Sequence, residues 1–239
     1  MRELTAKLKM TKTMMMTMIR RFGAVLIVGV LTLSLSAQDK DFGIWYGASV
    51  KKGISNKFDF AASGMLRTFQ KASKVEQGFL ETGLAYKITK NIDAEISYRL
   101  TSALENDSKY HFQHKAFLDL KGDVKLSNFT FSGRLRFQTR VKTYLEYYTD
   151  KFPDYTGRFK VKTLYRTQSF PLNPYVYYES FSPMFANSER LIGKNRFSFG
   201  LEYKISKMHS VEVEYIYQRD YLPKLSDINI ISLNYNLKL

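Results

Sequence analysis

The chain contains no cysteine. Disulfides, thiolate metal sites and cysteine nucleophiles are therefore excluded as sources of stability or chemistry. Histidine is scarce. His111, His114 and His209 are the whole supply, and they form no compact metal-ligand motif. Five prolines and thirteen glycines in 239 residues are too few for a disordered or fibrous chain. No Gly-rich phosphate loop, nucleophile elbow or metal motif is present. No cofactor is expected, and a non-enzymatic role is favoured.

Aromatic surface and positive charge, by contrast, are abundant. Tyr and Phe dominate an aromatic content of 15%, which favours strands over helices. The formal net charge is +15. Such a balance is compatible with nucleic acid, with anionic lipid, or with a basic pore lining. The basic residues are interleaved along the chain and form no patch on one helix or ribbon, so no nucleic-acid partner is expected.

Residues 18–38 read MIRRFGAVLIVGVLTLSLSAQ. Arg20 and Arg21 form a positive start, Phe22 to Leu35 an apolar run, and Ser34, Ser36 and Ala37 a small-residue cleavage region. This is the pattern of a secretory signal peptide over 1–37, cut after Ala37. The apolar run falls short of the ~20 residues of a spanning helix. The cluster Met14, Met15 and Met16 ahead of it suggests a true translation start at Met18. Processing removes six of 37 basic and one of 22 acidic residues, leaving 31 against 21. The remainder, 38–239, reads as one domain.

From Phe42 onward the dominant period is two. Ile92, Ala94, Ile96, Tyr98 and Leu100 oppose Asp93, Glu95, Ser97, Arg99 and Thr101. Phe129, Phe131, Gly133, Leu135 and Phe137 oppose Thr130, Ser132, Arg134, Arg136 and Gln138. Phe197, Phe199, Leu201, Tyr203 and Ile205 oppose Arg196, Ser198, Gly200, Glu202 and Lys204. Leu80 to Ile88 and Ile231 to Leu239 supply two more apolar faces. None of the five carries a charge, in a chain that is 25% charged. The opposite faces must absorb it. Strands are expected at 42–52, 57–70, 76–88, 92–104, 110–121, 128–142, 157–168, 174–182, 194–206, 210–222 and 228–239. Gly83 to Lys90 also matches Gly200 to Lys207, a weak repeat that shared hairpin chemistry explains.

The expected fold is all-β: an antiparallel transmembrane β-barrel of about 10–12 strands in a Gram-negative outer membrane. Several strands run past the ~9–11 residues that cross a bilayer, where soluble strands average ~5–6. Tyr86, Tyr98, Tyr203, Tyr215, Tyr217 and Tyr235 recur near strand ends, as interface girdles require. The chain ends on Tyr235-x-Leu237-x-Leu239, an alternating terminal strand. Eleven segments is an odd number where bacterial barrels are normally even. The expectation is therefore that one strand is missed, split or miscounted. Tight turns follow odd-numbered strands and longer connections, notably 143–156 and 182–193, follow even ones. The partners implied are outer-membrane lipid and the barrel-assembly machinery.

The polar faces supply a candidate lumen charge network: Glu81, Glu95, Arg99, Arg134, Arg136, Arg158, Arg166, Glu179, Arg196, Glu202 and Glu212. Acid–base chemistry is conceivable there, but small barrels fill their interior with side chains, and an ionic plug is the plainer reading. Trp45 falls on the polar side, with Gly43 and Gly47 leaving room for its indole. His111 and His114 lie on opposite strand faces and cannot share a metal. His114 on an apolar face keeps an outer-membrane lipid-modifying enzyme open as an alternative; a soluble, lipocalin-like periplasmic lipid carrier is another.

The runs DFGIWYGASVKKGISNKFDF (41–60), GLAYKITKNIDAEISYRL (83–100), NFTFSGRLRFQTR (128–140) and FSFGLEYKISK (197–207) give the chain a family likeness. Over residues 41–239 it resembles the uncharacterised outer-membrane barrel family known as domain of unknown function 2490. The resemblance implies an outer-membrane barrel. It implies no activity and no catalytic residue. The function expected of such a chain is that of a structural barrel, or of a narrow channel or carrier for small solutes or lipids.

Overall fold

Strict alternation forces each strand to present one apolar and one polar face, and a sheet so divided must decide which face it hides. The computed structural model describes residues 41–144, 154–167, 170–185 and 190–239. The signal segment, the start at Met18 and parts of both longer loops lie outside the described residues.

Eleven strands form: β1 (Asp41–Gly53), β2 (Phe58–Phe69), β3 (Lys74–Lys87), β4 (Ile92–Leu104), β5 (Tyr110–Leu126), β6 (Phe129–Lys142), β7 (Asp154–Tyr165), β8 (Leu172–Met184), β9 (Lys194–Lys204), β10 (His209–Asp220) and β11 (Ser226–Lys238). Each pairs with its sequence neighbours and the sheet closes on itself. Closure satisfies every edge, which an open sheet cannot do in lipid.

The closure corrects one expectation. No strand is missing and none is split. Ten chain reversals leave β1 and β11 running in the same direction, so the seam between them is parallel, from Asp41 opposite Ile228 to Lys51 opposite Lys238. The other pairings are antiparallel, so the barrel is not antiparallel throughout. An odd strand count needs such a seam, and the sequence of turns requires it.

Boundaries shift as well. β5 runs to Leu126, because alternation continues through Gly122, Val124 and Leu126 on the outer face; the turn is then only 127–128. β7 starts at Asp154 and β8 extends over Leu172–Met184. Three of the five odd-strand turns share one geometry. Ile54, Ile88 and Ile205 donate their N–H groups to the carbonyls of Phe58, Ile92 and His209 at 2.9, 2.9 and 3.0 Å. Common turn chemistry thus accounts for the Gly83–Lys90 and Gly200–Lys207 match. At the other end, Gln70, Lys71 and Ala72 are all left-handed, with φ of 51°, 56° and 62°. Asp41 holds that turn by accepting from the Gln70 and Lys71 N–H groups at 3.1 Å each.

The barrel hides its polar face. Leu80, Ile96, Leu118 and Leu135 point outward and are 70%, 61%, 54% and 55% exposed. Asp119, Glu179 and Arg136 point inward and are buried. A soluble domain does the reverse. Rings pair on the outside near the ends, as in Phe58–Tyr86 and Phe129–Tyr165, with centroids 5.2 and 5.1 Å apart.

Candidate functional site: a charged and occluded lumen

The inward faces build three layers along the barrel axis. The middle one is crossed by paired side chains. Glu179 on β8 sits among three guanidinium groups from three strands. Arg134 contacts its Oε1 at 2.5 Å and Arg158 at 2.8 Å, while Arg196 approaches Oε2 at 3.8 Å. Asp119 on β5 takes both nitrogens of a fork from Arg136, at 2.6 and 2.7 Å. That bidentate geometry is the strongest form of carboxylate pairing. Arg99 pairs with Glu81, and Arg136 also lies 3.9 Å from Glu81. Aromatic faces stack on the same cations: Arg99 lies 3.8 Å from the Phe79 centroid and Arg136 4.3 Å from that of Phe117.

The rest of the expected network falls elsewhere. Glu95 pairs with Lys121 at 2.5 Å, toward the short-turn end. Glu202 accepts from Asn173 at 2.8 Å. Glu212 accepts from Asn236 and from the Tyr175 hydroxyl, each at 3.0 Å. Arg166 lies beyond β7 and bonds Thr130 at 3.2 Å, away from the Glu179 cluster. Two central acids lie outside the expected set, Asp119 and Glu214. A signal for Asp119 is present in the sequence: it shares a strand face with Lys121, two residues on. Glu214 accepts from both Tyr175 and Tyr177, at 2.8 and 2.6 Å.

Trp45 does point inward and is buried, but its glycines act otherwise than expected. A side chain at Gly43 would strike the Thr68 carbonyl oxygen at 2.3 Å, and one at Gly47 the Asn234 amide at 2.2 Å. They admit neighbouring strands and not the indole. Trp45 packs on Ile216 and Ile230, an apolar patch within the polar lumen. Arg67 covers its ring at 3.9 Å.

Gly200 plays the role that Gly43 plays, with a larger neighbour. A Cβ there would lie 2.3 Å from Cζ of Tyr175. That ring is buried and held by its hydroxyl to Glu212 and Glu214, so it cannot yield cheaply. Gly200→Ala is expected to destabilise the folded barrel by about 1–3 kcal/mol, the usual penalty of overpacking. Urea titration of the refolded protein, followed by tyrosine emission, reads that shift.

The histidines take separate places. His111 faces the rim, 2.7 Å from Asp107 and stacked on Tyr144. His114 lies on the outer face and shares a hydrogen bond of 2.5 Å with the Tyr98 hydroxyl. Among the described residues no group of His, Asp or Glu is placed to hold a metal ion.

Above and below the middle layer lie two cavities. One of about 460 Å³ opens among the ends of strands that lead into the longer loops, with Arg67, Glu76, Arg99, Lys115 and Arg158 in its wall. The other, about 320 Å³, lies at the short-turn end between Lys121, Arg134, Lys160 and Lys162. They share no wall residue.

The family described as Protein of unknown function (DUF2490) matches residues 42–229. The chain belongs to that family. No curated protein shows significant similarity to it. Among solved structures, the NanC porin is 16% identical with a TM-score of 0.48, the match covering 74% of this chain and 86% of that one. OccK11 (OpdR) of Pseudomonas aeruginosa is 14% identical, TM-score 0.37, covering 73% of this chain and 53% of its own. The beta domain of the Bordetella autotransporter BrkA is 12% identical, TM-score 0.43, covering 79% and 95%.

Proposed function

We propose that this DUF2490 protein is an outer-membrane β-barrel that crosses the bilayer with all eleven strands and serves as a narrow channel or carrier for small solutes. The observation that carries the reading is the inversion of the barrel, with an apolar exterior, charged near the strand ends as at Arg219 and Asp227, around a charged interior. Lipid rewards the first, and only an enclosed or hydrated lumen tolerates the second. A soluble lipocalin-like carrier needs the opposite arrangement, an apolar interior for its ligand and a polar exterior. A lipid-modifying activity would need a nucleophile beside His114, whose Nδ1 is engaged by Tyr98.

The middle layer makes the pore narrow. Ions passing between the two cavities must cross paired Arg, Glu and Asp side chains. The refolded protein in a planar bilayer is expected to give small, discrete current steps, far below those of an open porin. The protein should fractionate with the outer membrane and migrate faster in gels before heating than after. Recovery in the soluble periplasm, with no heat-dependent mobility, would overturn the reading.

A further inference from the structure

The upper cavity contains a charge arrangement that folding alone does not favour. Along the wall, direct cross-strand neighbours run Glu81, Arg99, Lys115, Arg140 and Asp154. Three cations stand side by side with an acid only at each end. Like charges directly opposite one another in a sheet are destabilising. Arg99 turns to Glu81 and Arg140 to Asp154, at 2.6 Å for the latter. Lys115 between them makes no hydrogen bond or ion pair among the described residues, although it lines the cavity.

Arg67 lines the same cavity. Its guanidinium lies over Trp45 and, at 5.1 Å, over Phe79, and its Nε contacts only the Met65 sulfur. Aromatic faces hold a cation in place without neutralising it. Arg158 and Arg196 share the single carboxylate of Glu179 with Arg134. Of the two acids in the wall, Glu105 is already engaged by Lys142 at 3.1 Å and by Gln113. Burial by itself would raise its pKa, yet the bonds from Lys142, Tyr144 and Gln113 hold it below the usual carboxylate range. It is thus an occupied anion. Among the described residues of the wall, only Glu76 remains to offset Lys115, Arg67 and the surplus around Glu179.

We propose that this cavity is a binding site for a small, multiply charged oxyanion, a compound carrying two or more carboxylate or phosphate groups. A volume of about 460 Å³ lies within the range of small-molecule sites. Lys115 supplies an unpaired ammonium that swings to meet one anionic group. Arg67 supplies a planar fork for a second, held in register by Trp45 and Phe79. Arg99, Arg158 and Arg196, which pair with Glu81 and Glu179, belong to the same wall, so the anion meets further cations there. The inference names the solute class for the channel or carrier reading and rests on it.

Trp45 is the only tryptophan of the chain, and Arg67 sits on its ring. An anion that draws on Arg67 changes the charge above the indole. Citrate is the probe, maltose its neutral counterpart, and glucose 6-phosphate the phosphate arm. Equilibrium dialysis of the refolded full chain at about 50 mM ionic strength should retain citrate, and Trp45 emission should change saturably with it. Lys115→Gln should weaken retention about fivefold or more, and Lys115→Arg should restore it to within about twofold. Arg67→Gln should weaken retention and abolish the emission change. Raising ionic strength to about 0.5 M should release citrate, as an electrostatic site requires. Absence of citrate and phosphate retention in the folded protein, or retention equal in both Gln variants and wild type, would overturn the inference. Current steps without anion retention would sink this site alone. Anion retention without any current would sink the channel alone.

Discussion

Glu179→Gln is expected to destabilise the barrel by about 3–5 kcal/mol, the largest effect of any single side chain in the lumen. The reason is asymmetry. Three guanidinium groups from β6, β7 and β9 converge on one carboxylate that is 2% exposed. Removing its charge leaves three uncompensated cations in a confined layer. Breaking a buried ion pair from one side costs far more than the pair contributed. The double variant Glu179→Gln with Arg158→Met should recover part of the loss, because it withdraws one stranded cation and keeps the aliphatic contact with Phe181. Unfolding in urea, followed by gel mobility before and after heating, measures both. A Glu179→Gln protein as stable as wild type would mean that water or counter-ions already neutralise the cluster. The same variant should conduct more, since Glu179 anchors the arginines that cross the middle layer.

Asp119 offers the contrast. It faces Arg136 directly across β5 and β6 and has a bidentate partner of its own. Glu179 faces Arg196 directly across β8 and β9 but shares its carboxylate with Arg134 and Arg158, so its cluster depends on the joint register of four consecutive strands. This difference explains what could be read in advance. Alternation in β3, β4, β6, β9 and β11 separates inner from outer faces residue by residue, because lipid and lumen impose opposite chemistry on neighbours. It shows that Arg134 and Arg196 face inward. It does not show that they meet at Glu179, because meeting depends on register across β6, β7, β8 and β9.

The apolar patch of Trp45, Ile216 and Ile230 is hidden in the sequence for a related reason. Ile216 lies between Tyr215 and Tyr217, and Ile230 next to Ile231. Where both faces are apolar, the period of two fades and a strand cannot declare its inner side. The parallel seam follows from counting turns, while the prevalence of even strand numbers argues against it. The turn count is the better guide, since each turn is a local fact and the prevalence only a habit of other barrels.

The orientation of the whole barrel can be tested at one position. Ile96 lies at mid-height on β4, points outward and is 61% exposed. In a soluble protein, replacing so exposed an isoleucine with arginine changes stability by no more than about 0.5 kcal/mol. In a bilayer the same arginine must desolvate against hydrocarbon, at a cost of about 2–4 kcal/mol near the midplane. Ile96→Arg is therefore expected to lower the stability of the protein in lipid vesicles by that larger amount. Lys57→Arg in the β1–β2 turn, outside the apolar belt, should change it little. Guanidinium titration in vesicles, repeated in detergent, separates the two cases, because a micelle yields to a charged side chain more readily than a bilayer does. Equal, negligible effects of Ile96→Arg in both media would remove lipid from the outer face. They would leave Leu80, Leu118 and Leu135 exposed to water without a reason.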